Sequence, residues 1–229
     1  MKSGLLTTVA RYLLMISIPI LLVVTPLYLF VQPGFAHWQY GLSGFPSSFR
    51  FERPERERLS DANIGLLRGT VSVEELAALQ TNSGERAMID REISHMVDVK
   101  HVMDTFFRAH GIAAIAALVA VAYLRWKRNR ETIGRGLRDG VLFTATLMVV
   151  ILVASVVDFD AFFTVFHQLF FAAGSWLFYV EDTLIQLYPL PFWVRAIMLI
   201  AICILIEAGL LWALSIWLSR RSERKGVSA

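Results

Sequence analysis

LRWKRNRETIGRGLRDG (Leu124–Gly140) separates two of the most apolar runs in the chain, and it carries six basic residues against two acidic ones. Before it stands IAAIAALVAVAYL (Ile112–Leu124), and after it VLFTATLMVVILVASVV (Val141–Val157). A hydrocarbon core about 30 Å thick takes roughly 20 apolar residues in helical form. Tyr12–Val31 and Ala196–Leu218 are two further runs of that kind. Ile112–Leu124 is short by itself, but Val102, Met103, Phe106 and Phe107 extend it backwards, so one helix is expected to emerge from the membrane. With 56% hydrophobic and 18% charged residues and a mean hydropathy of +0.56, the composition excludes an ordinary soluble domain. The expected fold is an all-α membrane protein, a four-transmembrane-helix bundle with an extracytoplasmic, mainly helical cap.

Basic residues also flank the other runs. Lys2 and Arg11 precede the first, and Arg220, Arg221, Arg224 and Lys225 follow the last. Cytoplasmic loops carry the excess of Lys and Arg, so all three clusters place both termini and the central link in the cytoplasm. The net charge of +3 is therefore a membrane-flank signal and implies no nucleic-acid partner. The expected layout is a cytoplasmic N-terminus (1–11), transmembrane helix 1 (12–31) and an extracytoplasmic cap (32–104). Transmembrane helix 2 (105–124), a basic cytoplasmic link (125–139) and transmembrane helix 3 (140–157) follow. An extracytoplasmic interfacial or re-entrant segment (158–193), transmembrane helix 4 (194–218) and a cytoplasmic tail (219–229) complete it. The first run is read as an anchor rather than a cleaved leader, being long, containing Pro19 and Pro26, and lacking a small-x-small cleavage site. Cys203 is the one cysteine, so no disulfide can form within the chain.

In the cap, Gln32 onwards reads as irregular, with Pro33, Gly34, Gly41, Gly44 and Pro46. Arg56–Gly69 (RERLSDANIGLLRG) reads as a helix ended by glycine, Ser72 and Glu75 form a capping-box pattern, and a longer helix is expected from about Gly84. Asp160 is read as the N-cap of an aromatic interfacial helix.

All five histidines, His37, His95, His101, His110 and His167, fall on the extracytoplasmic side of this layout. His95 lies in EISHMVDVK (Glu92–Lys100), where three-residue spacing sets Glu92 and Asp98 on its flanks. Such carboxylates can orient an imidazole as a general base, or can simply form a solvated helix face. His167 lies in FDAFFTVFHQLFF (Phe159–Phe171), two helical turns after Asp160, among phenylalanines that favour a neutral ring. No metal site emerges, because His95 and His101 stand some 240° apart around a helix. No Gly-x-Ser-x-Gly elbow is present either. Glu207 is the one intramembrane carboxylate and leaves a transporter reading open.

EISHMVDVK, FDAFFTVFHQLFF with Trp176 after it, DTLIQLYPLPFW (Asp182–Trp193) and RERLSDANIGLL resemble, in order and spacing, the bacterial lipoprotein intramolecular transacylases, the Lit family. The resemblance implies a four-helix membrane enzyme of the bacterial cell membrane whose site faces outward. Its substrate would be a diacylglyceryl lipoprotein in the outer leaflet of the lipid bilayer. The implied reaction moves the sn-2 acyl chain to the α-amine of the N-terminal cysteine, giving a lyso-form lipoprotein, and needs no cofactor. It also implies His95 and His167 as catalytic residues, with Glu92, Asp98 and Asp160 as supporting candidates. A membrane-interface acyl hydrolase, a phospholipid acyltransferase, or a non-enzymatic scaffold or transporter stand as alternatives.

Overall fold

The computed structural model describes residues 2–226. The side chains of Lys2, Ser3, Ser155, Phe159 and residues 220–226 lie outside the described set, and with them the C-terminal basic cluster. The described helices are α1 Lys2–Val24, α2 Leu27–Phe30, α3 Pro33–Tyr40, α4 Arg53–Arg68, α5 Val73–Ala77, α6 Asp90–Trp126, α7 Arg130–Val157, α8 Phe159–Phe170, α9 Thr183–Leu187 and α10 Leu190–Gly226. Among the described residues an isolated bridge between Gln80 and Arg86 is the one extended pairing. Four helical segments are long and apolar enough to cross a membrane: Gly4–Phe30, Asp90–Trp126, Arg130–Ala154 and Leu190–Ser219. The second is 37 residues long, about 55 Å at 1.5 Å per residue, nearly twice a hydrocarbon core. Its charged residues stop at Arg108 until the basic end, so only the half after Arg108 has a membrane-spanning composition.

The chain divides into two compact units. The first comprises residues 1–26, 107–157 and 200–229. It packs α1, the second half of α6, α7 and most of α10 around Leu14, Ile18, Leu22, Ala117, Ala120, Leu124, Leu137, Val141 and Ile204. Glycines let α7 approach its neighbours: a Cβ on Gly140 would stand 2.6 Å from Ile18 Cβ, and one on Gly134 2.9 Å from the Ser215 carbonyl. Arg11 closes the same face with Nε and Nη2 at 3.1 and 2.5 Å from Asp139 Oδ2. The expected basic link at 125–139 consists of the end of α6, a tight turn and the first turns of α7. Asn129 accepts the Thr132 N–H at 3.1 Å and so starts α7, and Arg128 takes a left-handed backbone (φ 56°).

The second unit comprises residues 27–106 and 158–199. Its core gathers Phe51, Leu59, Leu66, Leu76, Met88, Ile93, Met96, Leu184 and Leu187. The helix expected at Arg56–Gly69 is α4. It ends where Gly69 (φ 75°) lets the Thr70 N–H reach the Gly65 carbonyl at 2.9 Å. The Ser72–Glu75 capping box is present, though α5 stops at Ala77. Three expectations are corrected. Pro33–Tyr40 is helical, because Pro33 occupies the first turn, where its missing N–H costs nothing. The long helix starts at Asp90 rather than near Gly84, which takes φ 84° in a turn. The last helix starts at Leu190, four residues before the expected transmembrane boundary.

Replacing Gly140 by valine is expected to cost about 1–3 kcal/mol by driving α1 and α7 apart. Gly111→Ala, with nothing within 4 Å of the added Cβ, is expected to be neutral or mildly stabilising. Thermal unfolding of the two purified variants in detergent measures the contrast.

Candidate active site

Asp158, not Asp160, caps α8, its carboxylate accepting the Ala161 N–H at 2.9 Å. The cap lies two residues earlier than expected because an N-cap residue needs extended backbone, which Asp158 has (φ −152°, ψ 98°). Asp160 sits exposed in the first turn. α8 carries half-buried His167, whose Nδ1 lies 2.8 Å from the Phe163 carbonyl oxygen. A carbonyl only accepts, so Nδ1 holds the proton, and in the neutral ring Nε2 is left with the free lone pair. Burial lowers the His167 pKa below the ordinary histidine value, against a smaller upward pull from that hydrogen bond.

α8 ends at Phe171, which is extended, and the chain turns back through Gly174 (φ 82°) to Trp176 and Phe178. The turn brings the second histidine into the same aromatic shell. His95, on α6, packs on Phe171 at 5.0 Å and on Phe178 at 5.3 Å between ring centroids. His167 packs on Phe171 at 5.6 Å, on Trp176 at 4.8 Å and on Phe163 at 3.9 Å. The two imidazoles thus come together on one phenyl ring. Burial first, and then the charge His167 would carry, push His95 down to about 4, against a lift from Asp98. Here desolvation outweighs a neighbouring carboxylate, which alone would favour the protonated ring. His95 Nδ1 is buried with no hydrogen-bond partner among the described residues.

Glu92 does not face the His95 ring. It is 1% exposed, and its two oxygens accept the N–H of Ile89 at 3.0 Å and of Leu184 at 2.7 Å. It fastens the start of α6 to α9. Asp98 is half-buried and lines a groove of about 360 Å³ with His101, Val102, Thr105, Phe106 and Phe170. His37 instead pairs with Asp61 at 2.7 Å, and His110 with Thr25 at 3.0 Å. Among the described residues no three His, Cys, Asp or Glu side chains cluster as an ion would require.

Sequence reasoning missed Phe171, Phe178 and the pair Arg91–Asp182. Arg91 Nη2 donates to Asp182 Oδ2 at 2.6 Å, and its guanidinium lies over Phe178 at 5.3 Å. Asp182 also accepts the Tyr179 N–H at 2.7 Å. Arg91 is four residues before His95, so helical spacing marks it as a neighbour, but nothing local marks its partner.

A sequence profile of the lipoprotein intramolecular transacylases, Lit, matches residues 10–193. The chain belongs to the Lit family. Membership makes it a membrane acyltransferase. An uncharacterized protein of Aquifex aeolicus is 31% identical over 171 residues, covering 73% of this chain and 75% of that protein. The solved structure of the membrane-integral Lit of Bacillus cereus superposes with a TM-score of 0.75 at 23% identity, over 96% of this chain and 97% of that one. A histidine-to-alanine variant of that protein gives 0.76 at 21% identity, over 97% of each chain. At such identity the common feature is the fold, which agrees with the expected helical membrane architecture.

A histidine whose pKa is depressed on folding contributes its full stability above the unfolded value of 6.5 and loses it as pH falls toward about 4. The melting temperature is expected to drop between pH 7 and 5, and to drop less in His95→Phe. Equal slopes in thermal scans of the two proteins contradict the buried neutral ring.

Proposed function

We propose that His167 and His95 carry intramolecular O-to-N acyl transfer, from the sn-2 position of a diacylglyceryl lipoprotein to the α-amine of its N-terminal cysteine. The observation that carries this reading is the packing of both imidazoles on Phe171, each held neutral by burial. His167 is the general base, since its Nδ1–H is committed to the Phe163 carbonyl and Nε2 is the ring's acceptor. As the amine attacks the ester carbonyl, a C–N bond forms and the nitrogen proton passes to Nε2. The same proton then goes to the glycerol oxygen as the acyl C–O bond breaks, leaving a new amide and a free hydroxyl. His95, neutral and desolvated, donates a ring N–H to the carbonyl oxygen as negative charge develops there.

Amine and ester belong to one molecule, so orientation supplies much of the acceleration, with effective molarities of about 10⁵ M or more within reach. The groove beside Phe106 and Phe170 suits an acyl chain. Exposed Val165, Phe166 and Leu169 on α8 and Leu177 after it suit the headgroup level of a bilayer. The basic residues at 125–138 favour a site on the extracytoplasmic side of the cell membrane, facing the outer leaflet. Glu92 and Asp98 act through placement and charge rather than on the substrate, and Asp160 has no part in this scheme.

Mass spectrometry of a lipoprotein N-terminus from cells expressing wild type, His95→Ala or His167→Ala tests this. Wild type is expected to give the lyso form, and each variant to reduce it by about 10²-fold or more. Equal amounts in all three contradict the proposal, and release of free fatty acid in place of the lyso form replaces transfer with hydrolysis.

A further inference from the structure

Trp176 is 9% exposed, and its one polar atom, Nε1, is buried without a hydrogen-bond partner among the described residues. An indole nitrogen is a donor only, so the N–H cannot be satisfied by changing role. Trp193, far more exposed, still donates to the Tyr188 carbonyl at 2.9 Å. Arg56, Asn63 and Arg91 each leave one buried polar atom unpaired, but other atoms of the same side chains are bonded: Arg56 to Pro46, Asn63 to Leu59 and Arg91 to Asp182. Trp176 has no second polar atom to compensate.

Its position gives the orphan a use. The indole lies against the His167 imidazole at 4.8 Å and 35°, and meets Phe163 edge-on at 5.8 Å. For packing alone, phenylalanine would serve at this site and leave no donor unmet. We infer that the Trp176 indole N–H is a second hydrogen-bond donor, besides His95, to the carbonyl oxygen of the acyl group being transferred. The inference rests on the transacylase reading above and deepens it by naming the residue that completes the oxyanion site. No proton leaves the indole. The donor is closed off from water before substrate arrives, as an oxyanion donor should be, because it gains its partner only when an ester enters the aromatic shell.

The test compares full-length wild type, W176F and H167A in detergent micelles, with a synthetic diacylglyceryl-cysteinyl peptide as substrate. It measures kcat, KM and the melting temperature. W176F is expected to lower kcat about 100-fold with KM little changed, while its melting temperature stays level or rises because a buried unmet donor is gone. A stop-codon-suppressed 3-benzothienylalanine at position 176 keeps the ring shape and deletes only the N–H. It is expected to behave as W176F does, and it decides the matter if W176F fails to fold. Full kcat in a folded protein lacking the N–H overturns the inference and leaves the function of His167 standing. No transfer by wild type overturns the transacylase reading itself.

Discussion

The placement of the candidate site rests on the Glu92 carboxylate. It is almost wholly buried, and it is held there by the backbone N–H of Ile89 at the head of α6 and of Leu184 in α9. A charge at that depth is tolerated only because both oxygens are occupied by donors, and removing it would strand two amides in a dry interior. Burial raises its pKa while the two amides oppose the rise. Thr183 adds a bond from its hydroxyl to the Ala87 carbonyl, and Arg91 pairs with Asp182. Three polar ties therefore bind the start of α6 to the segment that follows α8. With those ends fixed, the intervening turn can only lay Phe171 and Phe178 over His95.

The resulting aromatic shell favours the neutral form of both imidazoles. An imidazole among phenyl rings loses its hydration and stays neutral, which disfavours an ion pair but suits the base role proposed for it. His167 is further prepared by the Phe163 carbonyl, a partner supplied by its own helix one turn back. Among the described residues no carboxylate hydrogen-bonds to either imidazole. In the proposed transfer, an ester and an amine on the same molecule need alignment more than they need a strong nucleophile.

Much of this was legible in the sequence, and the parts that were not have a common physical origin. The four apolar runs and the glycine that ends α4 are local signals, and each was read correctly. The Lit resemblance pointed to His95 and His167 because their blocks are distinctive, and the structure brings those two rings to one place. Spacing alone assigned Glu92 to the His95 face. Its real partner, Leu184, lies far along the chain and is an amide, which leaves no trace in residue identities. Asp158 and Asp160 both suit an N-cap, and only the backbone angle at Asp158 separates them. Trp176 could be seen, but not that its nitrogen lacks an acceptor.

Under the proposed transfer, His95 and His167 work on one transition state as a single device. A double-mutant comparison decides this: transfer rates of purified wild type, His95→Ala, His167→Ala and the double variant on one diacylglyceryl peptide. Residues acting as a unit are strongly non-additive, so the double variant is expected to be about as slow as the slower single variant. Losses that multiply, each histidine contributing its full factor independently of the other, would contradict the account.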